Sequence, residues 1–147
     1  MKAYLQVRCS KSQLAAIRDF AREQLAQMQV GEPVSHQIVL AIDEACANCM
    51  IHQHQCDGYS VLEVSMYRKG DVVYAEIRDS GQGFPIDRYQ PEDVHHIVQR
   101  RGKGGLGINL IHHIMDEIQV EQGEDYYVYK LGKRITDDPA PRPSTAP

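Results

Sequence analysis

Residues 61–84 read VLEVSMYRKGDVVYAEIRDSGQGF, a stretch that contains a hairpin followed by a glycine-rich turn. Apolar and polar residues alternate over residues 62–66 and again over 73–77, which predicts two strands that each bury one face. The residues between them, RKGD at 68–71, are typical of a hairpin turn. The second strand runs directly into DSGQG at 79–83, so its end carries an acidic residue and two glycines.

Two helices are predicted ahead of this hairpin. After a short strand over residues 5–9, Ser10 and Gln13 have the spacing of a capping box, and the helix that follows should end at Gly31. Its buried stripe recurs at steps of three and four residues and consists of Leu14, Ile17, Ala21, Leu25 and Met28. A second helix is predicted from about Pro33 to about Gln53.

The remainder of the chain completes a mixed fold. A third helix is predicted after Gly105, and two strands follow over residues 118–121 and 126–131. Hairpins dominate this order, so we expect an α+β two-layer sandwich with helices on one face of a mostly antiparallel sheet. We assign residues 1–135 to one domain and Thr136–Pro147, which is rich in proline and small polar residues, to a disordered tail.

Composition limits the functions that this domain could have. The net charge is −4, and no long run of Lys and Arg is present, which argues against a direct nucleic-acid partner. No apolar run approaches the roughly 20 residues that span a bilayer, and the N-terminus lacks a secretion signal. We therefore expect a cytoplasmic protein without membrane contact, whose four cysteines are reduced.

The first of three segments that carry chemistry is DEACANCMIH, residues 43–52. Glu44, Asn48 and His52 are four residues apart and would stack along one side of the second helix. An amide oxygen is a suitable ligand for Mg²⁺, and a carboxylate can accept a proton. A solvated helix face is the alternative explanation for this spacing.

The second segment begins with Asp79 and continues through Gly81 and Gly83 to Phe84. A carboxylate at the end of a strand could accept a hydrogen bond from the amino group of adenine, whereas guanine has an acceptor at that position. The glycines would let the backbone approach a base closely. An ordinary turn would explain the glycines but not the acidic residue before them.

The third segment is Gly102-Lys103-Gly104-Gly105-Leu106-Gly107, which opens the third helix. Free N–H groups at a helix N-terminus attract phosphate oxygens, and glycines allow close approach. A flexible hinge is the alternative. The segment differs from the Walker sequence because Ser or Thr does not follow its Gly-Lys pair.

Together the three segments resemble the Bergerat-fold, histidine kinase-like ATPases, and within that superfamily the bacterial anti-sigma-factor serine/threonine kinases. The stretches IDEACANCMIHQ, IRDSGQGF and GGLGINLIHHIMDEI are similar to the Glu-x-x-x-Asn-x-x-x-His box, the adenine box and the phosphate box of those kinases. The resemblance extends from Tyr4 to about Leu131. It implies an ATP-dependent, Mg²⁺-dependent kinase that transfers phosphate to a protein Ser or Thr.

The resemblance also implies a role for each residue. Glu44 would be the catalytic base, Asn48 would hold Mg²⁺ and Asp79 would read adenine. The other nucleotide-binding positions would be His52, Gly81, Gly83, Phe84, Lys103, Gly104, Gly105, Leu106 and Gly107. Residues 84–104 would form a mobile lid over the nucleotide.

The implied partners are those of a partner-switching pathway. One surface would bind a sigma factor, another an antagonist protein that is phosphorylated on Ser or Thr, and the chain could form a homodimer. An ATP-binding regulatory module without phosphotransfer fits the same residues. An isolated histidine-kinase catalytic domain also remains open.

A zinc site is a further alternative, because the pattern Cys46-x-x-Cys49-x-x-His52-x-His54-x-Cys56 crowds zinc-type ligands together. The first two cysteines should lie within a helix, however, where core packing is the simpler explanation. Cysteines at 46 and 49 also depart from the small or aliphatic residues expected there in relatives. The turn Gly123-Glu124-Asp125 similarly lacks their Gly-Thr pair.

Overall fold

The structure, a computed structural model, describes residues 2–50, 61–79, 103–123 and 126–135, and for residues 103–107 it describes the backbone. Its strands are β1 (Ala3–Arg8), β2 (Val61–Lys69), β3 (Val72–Asp79), β4 (Glu117–Gln122) and β5 (Tyr127–Arg134). Its α-helices are α1 (Leu14–Gln27), α2 (Val34–Asn48) and α3 (Lys103–Ile114), and a short 3₁₀ turn, Lys11–Gln13, precedes α1.

The five strands form one sheet in the order β1-β2-β3-β5-β4, and every neighbouring pair is antiparallel. The three helices pack on one face of this sheet around a shared hydrophobic core. The predicted α+β sandwich is therefore confirmed. The predicted hairpin is also present, since Lys69 pairs with Val72 and Gly70 adopts a φ of 64° in the two-residue turn between them.

Helix α2 is the centre of the helical layer. Ile38, Ile42 and Ala45 are buried on one face of the helix, and Val39 and Cys46 on its other sides are buried too. This broad burial follows from its position, because α1 packs against one side of α2 and α3 against the other. A helix enclosed in this way holds its side chains in fixed positions, which is a requirement for a binding site.

The sheet places the more polar strand of its last hairpin at the edge. β4 has the sequence EIQVEQ and has no fully buried residue, whereas β5 buries Tyr129 and Leu131 completely. A strand that pairs on both sides must bury more apolar surface than an edge strand, so β5 lies beside β3 and β4 lies outside it.

The end of α1 differs from the sequence prediction. Gln29, rather than Gly31, adopts the left-handed conformation, with a φ of 62°. The amide of Gln29 donates to the carbonyl of Ala26, and the amide of Val30 donates to the carbonyl of Leu25, which is the Schellman pattern. Because Val30 and Leu25 are both buried, their contact fixes this position of the helix end.

Three other boundaries also differ. The capping box is absent, because Ser10 makes no side-chain cap and its hydroxyl bonds to that of Ser12 at 2.9 Å. The α-helical part of α2 ends at Asn48, followed by one wider turn at residues 49 and 50. Helix α3 begins at Lys103 rather than after Gly105. The predicted tail, Thr136–Pro147, lies outside the described residues.

Within the described parts of the chain, no helix has both the length and the apolar character that a membrane crossing requires.

The left-handed residue at the end of α1 gives a prediction about stability. Gln29→Gly should raise the free energy of unfolding by about 0.5–1 kcal/mol, because glycine adopts this conformation without a Cβ clash, although it also loses more backbone entropy on folding. Ala26→Gly, at an exposed helical position, is the matched control and should lower stability by about 1 kcal/mol. Urea unfolding measures both, and destabilisation by both would contradict the assigned helix end.

Candidate functional site

Helix α2 positions the first two predicted site residues. Glu44 and Asn48 lie one turn apart on it, so their side chains share one side of the helix. Glu44 is half-buried, and this burial raises the pKa of its carboxyl above the ordinary value of 4.5, with a further contribution from the charge of Asp43. A carboxylate with a raised pKa is a stronger proton acceptor than an exposed one.

An ion pair next to Glu44 was not anticipated from the sequence. Arg18 on α1 donates a hydrogen bond from Nη1 to Oδ1 of Asp43 at 3.0 Å. Asp43 directly precedes Glu44, so this contact anchors α1 to the turn of α2 that carries the proposed base. The sequence contained one indication of this contact, because Arg18 directly follows Ile17, a residue of the buried stripe of α1.

Strand β3 positions Asp79, its last residue, with none of its surface exposed. Its backbone pairs with Leu62 on β2 and with Tyr127 on β5, so Asp79 lies at the end of the central strand of the sheet. The charge of Asp79 contributes to the raised pKa of both Cys46 and Cys49. The end of β3 therefore lies beside the C-terminal half of α2, where Asn48 is found.

Asn48 has a buried side-chain amide whose hydrogen-bonding capacity is not fully used within the described residues. It is 4% exposed, and among the described residues its Nδ2 has no hydrogen-bond partner. Leaving a buried donor unsatisfied costs about 1–3 kcal/mol, so such groups in folded proteins usually have a specific partner. An amide of this kind, beside a buried carboxylate, fits a polar ligand such as a nucleotide.

The glycine-rich segment lies within α3. Lys103, Gly104, Gly105, Leu106 and Gly107 form the N-terminal half of the helix, which packs against α2. The segment was predicted to open the helix, and its residues from Lys103 onward are helical, so the helix includes Lys103 to Gly105 as well as the residues after them.

The other predicted site residues lie outside the described part of the chain. These are His52, Gly81, Gly83 and Phe84, together with residues 84–102 of the proposed lid.

The cysteines of α2 are core residues. Cys46 and Cys49 are fully buried, and burial raises the pKa of each thiol, although the hydroxyl of Tyr129 donates a hydrogen bond to Cys49 and opposes the shift there. Neutral thiols are poor zinc ligands. In the described regions, no three His, Cys, Asp or Glu residues are grouped so that they could hold a metal ion. His54 and Cys56 lie outside those regions.

Known proteins resemble this chain in both sequence and structure. The serine-protein kinase RsbW of Bacillus subtilis is 28% identical over 107 residues, which are 67% of this chain and 67% of that protein. The anti-sigma F factor of Geobacillus stearothermophilus is 26% identical over 85 residues, which are 58% of each chain. The chain thus spans about two thirds or less of the length of these relatives.

A solved structure shares the fold. The RsbU and RsbW domains of a Mycobacterium tuberculosis protein superpose with a TM-score of 0.64 at 20% identity, covering 91% of this chain and 32% of that one. The family of the histidine kinase-like ATPase domain matches residues 7–132, which include α1, α2, β2, β3 and α3. The chain belongs to the histidine kinase-like ATPase domain family.

Proposed function

We propose that this protein is an ATP-dependent serine/threonine protein kinase and an anti-sigma-type regulator that phosphorylates an antagonist protein in a partner-switching pathway. The observation that carries this proposal is the buried junction of α2 and β3, where Asn48 and Asp79 lie under 5% exposed. The relatives from Bacillus subtilis and Geobacillus stearothermophilus are a serine-protein kinase and an anti-sigma F factor, which supports the same function.

Asp79 is the proposed adenine-reading residue. Its carboxylate accepts a hydrogen bond from the amino group of adenine, and it repels the carbonyl that guanine has in that place. Because the residue is buried, water does not compensate for a missing or repulsive contact, so discrimination is strong. Gly81, Gly83 and Phe84 would complete the base pocket after the strand.

Asn48 and the start of α3 are proposed to hold the phosphate groups. Asn48 would supply an amide oxygen to Mg²⁺, which would neutralise phosphate charge, and the orphaned Nδ2 makes this residue suitable for a polar ligand. The first N–H groups of α3 and the charge of Lys103 would attract phosphate oxygens, with Gly104, Gly105, Leu106 and Gly107 close by. His52 would lie one turn beyond Asn48.

Glu44 is the proposed catalytic base, which removes the proton of the attacking Ser or Thr hydroxyl. Its half-buried position and raised pKa suit this role, because its carboxylate holds a proton more strongly than an exposed one. The rest of the catalysis is positioning and charge neutralisation. A regulatory module that binds ATP without phosphotransfer would use the same pocket and would not need Glu44 as a base.

The proposed cellular setting follows from the same resemblance. The protein would act in the cytoplasm, bind an antagonist protein and a sigma factor on different surfaces, and associate with a second copy of itself. The nucleotide state would shift the chain between these partners.

Nucleotide binding tests the adenine-reading role. Asp79→Asn should weaken ATP binding by at least about 100-fold, because a neutral amide oxygen is a weaker acceptor than a carboxylate and the new NH₂ group is a donor that the adenine amino group cannot satisfy. Isothermal titration with ATP and with GTP, each with and without Mg²⁺, measures this effect. Wild-type affinity in Asp79→Asn, or equal binding of GTP, would reject this role.

Phosphotransfer tests the role of Glu44. Glu44→Gln should bind ATP within about twofold of the wild type but lower the transfer rate by about 10²–10⁴, since the amide cannot accept a proton. Transfer of ³²P from γ-labelled ATP to candidate antagonist proteins, followed by phosphoamino-acid analysis, measures the rate. Full activity in the variant would rule out Glu44 as the base, and an inactive wild type would favour the regulatory module.

The raised pKa of Glu44 also predicts a dependence of stability on pH. Between the ordinary carboxyl value of 4.5 and the higher folded-state pKa, the folded protein binds more protons than the unfolded chain, so stability falls as pH rises. The side chain of Glu44→Gln cannot ionise, so the variant does not lose this stability as pH rises. Its stability relative to the wild type should therefore increase from about pH 4 to about pH 7 in urea unfolding.

The matched control for that measurement is Glu23→Gln, at an exposed position of α1. A Glu44→Gln difference that stayed constant over this pH range would contradict the raised pKa.

A further inference from the structure

Two acidic residues are adjacent on α2, and the proposed function uses only one of them. Glu44 shares a side of the helix with Asn48, whereas Asp43, one residue earlier, is turned by about 100° around the helix axis. Both carboxylates are partly buried. Like charges in neighbouring, partly buried positions repel each other more strongly than they would in water. The carboxylate of Asp43 would therefore disturb a base at position 44 unless an opposite charge offset it.

The opposite charge comes from α1. Nη1 of Arg18 lies 3.0 Å from Oδ1 of Asp43, and this contact joins two helices that pack against each other. The other arginine of α1, Arg22, lies one turn further along and pairs with Asp19 of the same helix at 3.2 Å. The two arginines thus differ in their partners, because the contact of Arg22 stays within α1 and that of Arg18 crosses to α2.

Both ends of the contact between Arg18 and Asp43 begin from fixed backbone. Arg18 directly follows Ile17 and Asp43 directly follows Ile42, and both isoleucines are fully buried in the shared core. The charged side chains are themselves partly buried, with exposed fractions of 37% for Arg18 and 18% for Asp43. An ion pair of this kind loses less to solvent screening and side-chain entropy than an exposed pair does. The contact therefore holds the Asp43 carboxylate on the α1 side of α2.

The charge of Asp43 acts on the residues around it. Burial is the largest cause of the raised pKa of both Glu44 and Cys46, and the charge of Asp43 is the second. The proposed base must be ionised before it can take a proton from a hydroxyl group. An unpaired Asp43 carboxylate, able to turn toward Glu44, would disfavour the ionised base and displace its side chain. Arg18 opposes both effects, because it holds this carboxylate at a distance and offsets its charge.

We infer that Arg18 is a positioning residue for phosphoryl transfer, which holds the Asp43 carboxylate against α1 and away from Glu44. In this role Arg18 contacts neither the nucleotide nor the protein substrate, and it acts on the base through Asp43. The inference rests on the proposed function, since it requires that Glu44 accepts the proton of a Ser or Thr hydroxyl. It extends that function by making part of the transfer rate depend on α1.

Steady-state phosphotransfer by the full chain tests the inference. The substrates are γ-labelled ATP with Mg²⁺ and the antagonist protein that the wild type phosphorylates in the transfer assay above, and urea unfolding shows that each variant is folded under the assay conditions. Arg18→Met removes the charge but keeps most of the apolar stem. It should lower kcat about tenfold, which is part of what a general base contributes, and leave the KM for ATP within about twofold of the wild type.

The matched control is Arg22→Met. It removes an arginine from the same helix and breaks the pair with Asp19, which does not involve α2. Because no carboxylate next to the base is released, kcat should be unchanged.

Two further variants separate positioning from a merely structural role. Arg18→Lys keeps the charge, and the contact with Asp43 joins one nitrogen to one oxygen, which an ammonium group can reproduce, so kcat should stay within about threefold of the wild type. In the double variant Arg18→Met with Asp43→Asn, the ion pair is still missing, but no second carboxylate repels the base. Its kcat should recover to within about threefold of the wild type. If the pair only stabilised the packing of α1 on α2, the double variant would stay as slow as Arg18→Met.

The outcomes distinguish this inference from the proposed function. An active wild type whose kcat is unchanged in Arg18→Met would overturn the inference and leave the proposed function intact. A double variant that stays as slow as Arg18→Met would do the same. A wild type that binds ATP but transfers no phosphate to any antagonist protein would reject the kinase function, and the inference with it.

Discussion

Burying a carboxylate costs free energy, and the interior of this protein is arranged around one. Removing a charged group from water costs several kcal/mol unless polar groups compensate for the loss. Asp79 is fully buried at the end of the central strand, and the C-terminal half of α2 lies beside it. This end of the core is therefore polar, and its buried polar groups need hydrogen-bonding partners. The buried Asn48, with its unsatisfied Nδ2, belongs to the same polar end.

The unusual cysteines of α2 are understandable in this setting. A thiol is small and weakly polar, so it can pack against apolar residues on one side and a carboxylate on the other. Burial, with a further contribution from the charge of Asp79, raises the pKa of Cys46 and Cys49, and Tyr129 donates a hydrogen bond to the second of them. The presence of cysteines at positions 46 and 49, where small or aliphatic residues were expected, therefore affects packing next to the candidate site.

Much of the fold and part of the site could be predicted from the sequence, because both depend on short-range patterns. Alternation and turn chemistry gave the β2–β3 hairpin, and the four-residue spacing on α2 placed Glu44 and Asn48 together. The end of α1 could not be predicted from the local sequence. Contact between Val30 and Leu25 placed the left-handed residue at Gln29, although Gly31 is nearby. The Arg18–Asp43 ion pair joins residues 25 apart in the chain and depends on how α1 crosses α2. Burial of Asp79 likewise appears only when the sheet is assembled.

Asn48 is proposed to belong to a nucleotide site, and the chain offers a direct way to observe this. Asn48 and Asn109 are its two asparagines, so selective ¹⁵N-asparagine labelling gives two side-chain amide groups in an NMR spectrum, which Asn48→Gln assigns. Both can be followed while ATP is added with Mg²⁺, and then while GTP is added. We predict that the Asn48 amide signals shift in a saturable manner with ATP and stay in place with GTP. Asn48 signals that remain unchanged at saturating ATP would contradict it.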